Sequence, residues 1–195
     1  MNRLLPTLLL ALPACASLPE GPVVVVQTSG GEEIGASTNH GVVFAGRTAS
    51  KGVARVLVFF GDGPSVETGE IEEAGPGLFT VSLEIRVPTA EISVESLSPG
   101  ETVRLAGRRD GVPWTSTGRV AAAGGAGGIE TSGGIPREGA LAFRREEGHW
   151  RLSGIVFPAD SGPATILGPE ALWRVLLRPQ PLGPAPNVPK RPDVR

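Results

Sequence analysis

Glycine and proline punctuate this chain from end to end: 28 Gly and 19 Pro among 195 residues, both of which disfavour helix interiors. The segments between them are brief and rich in Val, Leu, Ile and Phe. Val23–Val26, Gly41–Phe44, Val53–Phe60 and Leu78–Val87 come first; Thr102–Ala106, Gly139–Phe143, Trp150–Phe157 and Thr165–Leu167 follow. From Phe79 to Val87 every odd position is apolar and every even one polar, the period of a strand with one buried face. Gly61-Asp62-Gly63, Ser98-Pro99-Gly100 and Arg108-Arg109-Asp110-Gly111 carry turn chemistry. Many short strands with such spacing predict an all-β sandwich or barrels. One helix is predicted, Pro169–Leu177, with Glu170 in its first turn and Arg174 near its end. Ala121–Gly128 reads as a flexible loop.

Composition narrows the function classes. Hydrophobic residues make up 40% and charged residues 19%, which excludes a coiled coil and a highly charged disordered chain. The net charge is −2, with no basic block outside the last few residues, so no nucleic-acid partner is expected. Two histidines and one cysteine make no zinc site. Gly124–Gly128 lacks the Lys-Ser/Thr of a phosphate loop. Neither a metal nor a cofactor is expected.

The N-terminus has the order of a secretory signal: Arg3, an apolar run over Leu4–Leu12, then Pro13-Ala14-Cys15. The run falls well short of the roughly 20 residues that span a bilayer. Leu12-Pro13-Ala14-Cys15 resembles the bacterial lipobox, which implies a lipid on Cys15 and anchoring on the periplasmic side of the envelope, at the outer membrane. Cys15 is the only cysteine and has no intramolecular disulfide partner. The organisation read from the sequence is a signal peptide over 1–14, a tether over 15–22, lobes over 23–88 and 89–178, and a Pro-rich tail over 179–195.

Landmarks in the second lobe resemble, in order, the trypsin-like peptidases, particularly the bacterial HtrA/DegP type. Leu97-Ser98-Pro99-Gly100-Glu101-Thr102-Val103-Arg104-Leu105-Ala106-Gly107 is similar to that family's "l-x-x-G-d-x-V-x-x-x-G" strand. Thr117-Gly118-Arg119-Val120 resembles its "t-G-x-V". The stretch from Ile129 to Phe143, IETSGGIPREGALAF, resembles the approach to its nucleophile. Trp150–Val156 and Ile166-Leu167-Gly168-Pro169 resemble the segments that follow. The first lobe fits through strand rhythm: Val42–Arg47 sits where the family has "v-l-T-A-A-H", and Leu78–Ile85 where it has "D-l-A-l-L-k-v". The resemblance implies two antiparallel β-barrels packed face to face, a short C-terminal helix and a cleft between the barrels.

Carried over residue by residue, the chemistry is missing. The family's relay needs a Ser to attack, a His to take its proton and a carboxylate to orient the His. The His position here is Arg47, the Asp position Phe79 and the Ser position Glu138, with two residues lost just before it. Arg47 stays protonated and is no base. The resemblance therefore implies a degenerate peptidase that holds a peptide or protein partner in the inter-barrel cleft, with Arg47 and Glu138 facing each other as an ion pair. A rival alignment uses His40 as base and Ser132 as nucleophile, making an active endopeptidase; a third reading is a structural envelope lipoprotein. Glu138 lies 16 residues before Gly154 and Ser132 lies 22 before it, and the shorter spacing is nearer the family's. His149 reads as a hairpin-turn residue, and Arg144-Arg145-Glu146-Glu147 as a solvated hairpin end.

Overall fold

The computed structural model describes residues 17–46, 52–60, 63–84, 87–122, 126–159 and 162–177. Six strands, β1 (Val23–Thr28), β2 (Gly31–Thr38), β3 (Gly41–Phe44), β4 (Gly52–Phe60), β5 (Gly63–Gly75) and β6 (Leu78–Val81), close into one antiparallel barrel in the order β1-β2-β3-β6-β5-β4. Six more, β7 (Thr102–Arg109), β8 (Val112–Ala122), β9 (Ala126–Thr131), β10 (Ala140–Glu146), β11 (His149–Phe157) and β12 (Ala164–Leu167), close a second in the order β10-β11-β12-β9-β8-β7. Helix α1 (Pro169–Leu176) follows. The two-barrel architecture is the one the resemblance implies.

Three apolar clusters explain why the strands sit as they do. Val24, Val26, Val42, Phe44, Val56 and Phe79 belong to the cluster inside barrel 1. Val103, Leu105, Val120, Ile129, Val156 and Ile166 belong to the one inside barrel 2. A third cluster lies between them and draws on both: Val23, Val25, Ile34 and Val43 from barrel 1, Leu141, Phe143, Leu152 and Ile155 from barrel 2, and Leu172 from α1. Strand β1 is thus buried on both faces, with Val24 and Val26 turned into the barrel and Val23 and Val25 turned to its neighbour. That is why its valines form a run rather than an alternation.

Turn chemistry is realised at Ser98–Gly100 and Arg108–Gly111, while Gly61 and Asp62 lie outside the described residues. Asp110 (φ 53°) and Gly111 (φ 76°) form the two-residue turn joining β7 and β8, and Glu147 (φ 50°) and Gly148 (φ 88°) do the same for β10 and β11. Positive φ at both central residues matches the strand twist. His149 is exposed and opens β11 immediately after this turn. Several strands depart from the sequence reading. β2 and β5 were not anticipated, because Gly-Glu-Glu and the Glu-rich run of 67–73 dilute their apolar signal. Strand β6 stops at Val81, six residues short of the alternating pattern. Of the Ala121–Gly128 stretch, Ala121 and Ala122 end β8 and Ala126–Gly128 begin β9.

The connection between barrels is held by a polar cluster, which corrects the reading of Arg144 and Glu146 as solvated. Strand alternation leaves Arg145 and Glu147 exposed but turns Arg144 and Glu146 inward. Arg144 bonds Glu95 Oε2 at 2.8 Å, Glu146 Oε1 at 3.1 Å and Glu101 Oε1 at 3.4 Å. Arg151 reaches the other Glu146 oxygen at 3.4 Å, and the buried Ser93 hydroxyl donates to Glu146. Trp173 Nε1 donates to the Ser93 carbonyl at 2.7 Å, tying α1 to the same segment. Removing one partner strands the others in a mostly desolvated place. Arg144→Leu is expected to lower stability by about 2–3 kcal/mol in urea denaturation.

Candidate functional site

Position 138 lies in a tight turn that joins β9 to β10. Pro136 is buried, and its carbonyl accepts the Gly139 N–H at 2.9 Å, closing a turn over Pro136-Arg137-Glu138-Gly139. Gly139 has φ +96°, and a Cβ there would meet the Val156 carbonyl oxygen at 2.7 Å, so the turn requires glycine. Glu138 is half-buried, and its carbonyl accepts the Ile34 N–H at 2.7 Å. That bond crosses from barrel 2 to β2 of barrel 1 and places the turn on the seam between barrels.

Phe79 has a different setting. It is 7% exposed and sits inside barrel 1, opposite Phe44 across the β3–β6 pair, with ring centroids 5.7 Å apart. The position that resembles the family's carboxylate is therefore part of an apolar core. Arg47 and Cys15 lie outside the described residues, as does any pairing of Arg47 with Glu138. Ala45, two residues before Arg47, belongs to the inter-barrel cluster, so the chain leaves β3 along that seam.

The rival residues lie in different barrels. His40 is exposed in the turn before β3, and its backbone N–H donates to Thr38 Oγ1 at 3.1 Å. Position 47 follows the other end of that strand, whose four residues span roughly 13 Å at about 3.3 Å each. Ser132 is exposed in the loop after β9, and no hydrogen bond joins it to His40 among the described residues. This loop is braced from β7: Arg109 Nη2 donates to the carbonyls of Gly133 (3.1 Å) and Gly134 (3.4 Å), while its guanidinium lies 5.6 Å from the Trp114 ring centre. Ser116 and Thr131 hydroxyls bond at 3.0 Å on the strands beneath.

Beside the turn, an open cavity of about 510 Å³ is lined by Glu130, Thr131, Gly134, Ile135, Pro158 and Gly162, among others. Two features here were not singled out from sequence. Glu33, 6% exposed, is the one ionisable residue fully buried among the described residues, and it precedes Ile34, which holds the Glu138 carbonyl. Arg108 crosses the barrels, its guanidinium 3.2 Å from the Phe59 ring centre; burial lowers its pKa, and Glu20 acts in the opposite direction. A reading that had found β2 would have flagged Glu33 as an acid opposite Val26 on a barrel-facing register. Among the described residues no three His, Cys, Asp or Glu side chains gather as a metal site.

Twelve antiparallel strands in two closed six-strand barrels, packed across a shared core with a C-terminal helix, decide the fold. This is the chymotrypsin-like serine protease fold. Solved structures agree. The human pathogenic astrovirus serine protease matches with a TM-score of 0.59 at 12% identity, over 78% of this chain and 91% of that one. The Rv3671c protease of M. tuberculosis, in an inactive form, matches with a TM-score of 0.60 at 15% identity, over 80% and 87%. The MamO protease domain of Magnetospirillum magneticum matches with a TM-score of 0.54 at 16% identity, over 78% and 94%. No protein-family model and no curated protein sequence matches the chain.

Proposed function

We propose that this chymotrypsin-like domain is exported and lipid-anchored through Cys15, and that it binds an extended peptide or protein segment at the seam between its barrels without cutting it. The observation that carries the reading is the turn at Pro136–Gly139. Acyl transfer on this fold uses backbone N–H groups of the nucleophile and of the residue two before it to hold the developing oxyanion. With Glu138 at the nucleophile position, the residue two before is Pro136, which has no N–H to donate. Its carbonyl is also turned into the loop, accepting from Gly139. The defect thus lies in the backbone as well as in the side chains. Losing one such donor alone costs about 10²–10³ in rate, and losing the nucleophile or base costs up to about 10⁶.

Phe79 supports the same reading, since an aromatic ring packed against Phe44 cannot orient a base. The cavity at Glu130, Thr131, Gly134 and Ile135 adjoins the turn and offers an apolar wall with polar edges, which suits side-chain capture beside main-chain pairing. Treatment of the purified chain with a fluorophosphonate probe is expected to label nothing, and Glu138→Ser is expected to stay unlabelled while Pro136 remains. Labelling of Ser132 in the unaltered chain, or hydrolysis of casein lost on Ser132→Ala, overturns the reading in favour of an active endopeptidase. Fluorescence polarisation with labelled casein peptides should show saturable binding that Ile135→Arg abolishes. Binding indifferent to that change would favour a scaffold role instead.

A further inference from the structure

We propose that residues 178–195, the Pro-rich segment that follows α1, dock on the outer face of the β4–β5 hairpin. Val53 pairs with Glu70 and Leu57 with Val66, and directly opposite residues share a face. The other face fills barrel 1 through Ala54, Val56, Val58 and Ile71. On the outer face, Leu57 and Phe59 pack against the core shared by the two barrels, whereas Val53 is 63% exposed and Val66 45% exposed. An aliphatic stripe thus continues from the shared core into solvent. Single exposed valines need no explanation; a stripe continuous with a core offers a docking face.

Reach, charge and composition select the occupant. Helix α1 packs against β5, and Ala74 of β5 rests on the same core as Trp173 and Leu176 of α1. From Leu177 the chain continues for 18 residues, about 56 Å in a polyproline conformation. The path along β5 from Ala74 to Val66 is only about 26 Å. Residues 178–195 carry Arg178, Lys190, Arg191 and Arg195 against the single acid Asp193, a net charge of +3. Strand β5 carries Glu67, Glu70, Glu72 and Glu73 and no basic residue. None of these four forms an ion pair among the described residues. Leu182, Val188 and six prolines give the segment apolar surface to set against Val53 and Val66, and a Pro-rich chain loses little conformational entropy on docking. A second copy fits the face poorly, because an isologous contact would set the β5 glutamates against one another.

The test follows the amide chemical shifts of Val53, Val66 and Glu70 in the full chain. Removing residues 178–195 is expected to move all three, and a synthetic 178–195 peptide added to the shortened chain is expected to restore them saturably. Attachment to α1 gives an effective concentration of order mM, so a Kd for the free peptide of up to about 1 mM suffices. Glu70→Lys together with Glu72→Lys should weaken peptide binding at least about fivefold, as should replacing the four basic residues of the peptide by Gln. Ile135→Arg, at the cavity beside the Glu138 turn, should leave it unchanged. Where the shortened chain fails to fold, the full chain with those four basic residues replaced by Gln gives the same readout. Shifts unmoved by either change mean a bare face and overturn the proposal. Peptide binding abolished by Ile135→Arg would place the segment at the seam instead. Shifts that depend on the concentration of the full chain would place it on another copy, and either result equally overturns the proposal.

Discussion

Replacing Phe79 by Asp, the residue a trypsin-like motif carries there, is expected to lower stability by more than about 4 kcal/mol and to leave the chain largely unfolded at room temperature. Truncating a buried Phe costs about 3–5 kcal/mol, and placing a carboxylate in an apolar core adds its desolvation. Domains of this kind have only about 5–15 kcal/mol in hand. Phe79 is 7% exposed, faces Phe44 on the neighbouring strand, and shares its cluster with Val24, Val42 and Val56. Phe79→Leu keeps the apolar contact and should cost no more than about 1–2 kcal/mol. Urea denaturation followed by far-UV circular dichroism separates the two outcomes. A Phe79→Asp chain as stable as the parent would mean that the side chain faces the seam, and would reopen the position as a relay carboxylate.

The same substitution shows how far a catalytic state lies from this sequence. On the proposed reading a hydrolase would need changes at 47, 79 and 138 and a donor in place of Pro136, and the change at 79 would remove part of a core. The ring at 79 instead packs β6 against Phe44 of β3. Glu138 is different, because its backbone does structural work through Ile34 while its side chain is half-exposed. Substitution there should leave the fold intact, which makes Glu138→Ser a clean probe of chemistry.

How much of this was legible in the sequence follows from where each signal resides. A strand with a wet face and a dry one, such as the first half of β7, announces itself by alternation. Strand β2 does not, because the buried Glu33 interrupts its apolar signal and Gly35 fills a site where a Cβ would meet Val26 and Val42 at 2.9 Å. Strand β5 does not either, because Glu67, Glu70, Glu72 and Glu73 interrupt it and Ile71 is its one buried aliphatic side chain. At the candidate site, the order of motifs puts Glu138 at the nucleophile position, and the structure places that residue in a turn bonded across to β2 of barrel 1. That Pro136 has no N–H to donate is plain from the sequence, but the turn closing from Pro136 to Gly139 is not. Arg109 bracing Gly133 and Gly134 from another strand is a tertiary contact between residues 24 and 25 positions apart, and no local pattern encodes it.

A binding site on the seam is rigid only if the barrels unfold together, and Phe143→Ala tests that. Phe143 is fully buried, belongs to β10 of barrel 2, and lies in the cluster shared with Val23, Val25, Ile34 and Val43 of barrel 1. Its truncation should cost about 3–5 kcal/mol. All three tryptophans, Trp114, Trp150 and Trp173, lie in barrel 2 or α1, and Trp150 and Trp173 pack against the shared core, so their fluorescence reports barrel 2 and the seam. Amide exchange at Val24 and Val56, inside barrel 1, reports the other barrel. If the shared core couples them, fluorescence and circular dichroism will show one coincident transition. The Val24 and Val56 amides will then lose protection by the same free energy that barrel 2 loses. Unchanged exchange in barrel 1 would mean independent barrels and a seam free to open. The direct bond from Ile34 to the Glu138 carbonyl favours the coupled outcome, because a turn anchored to the opposite barrel cannot keep its shape once that barrel melts.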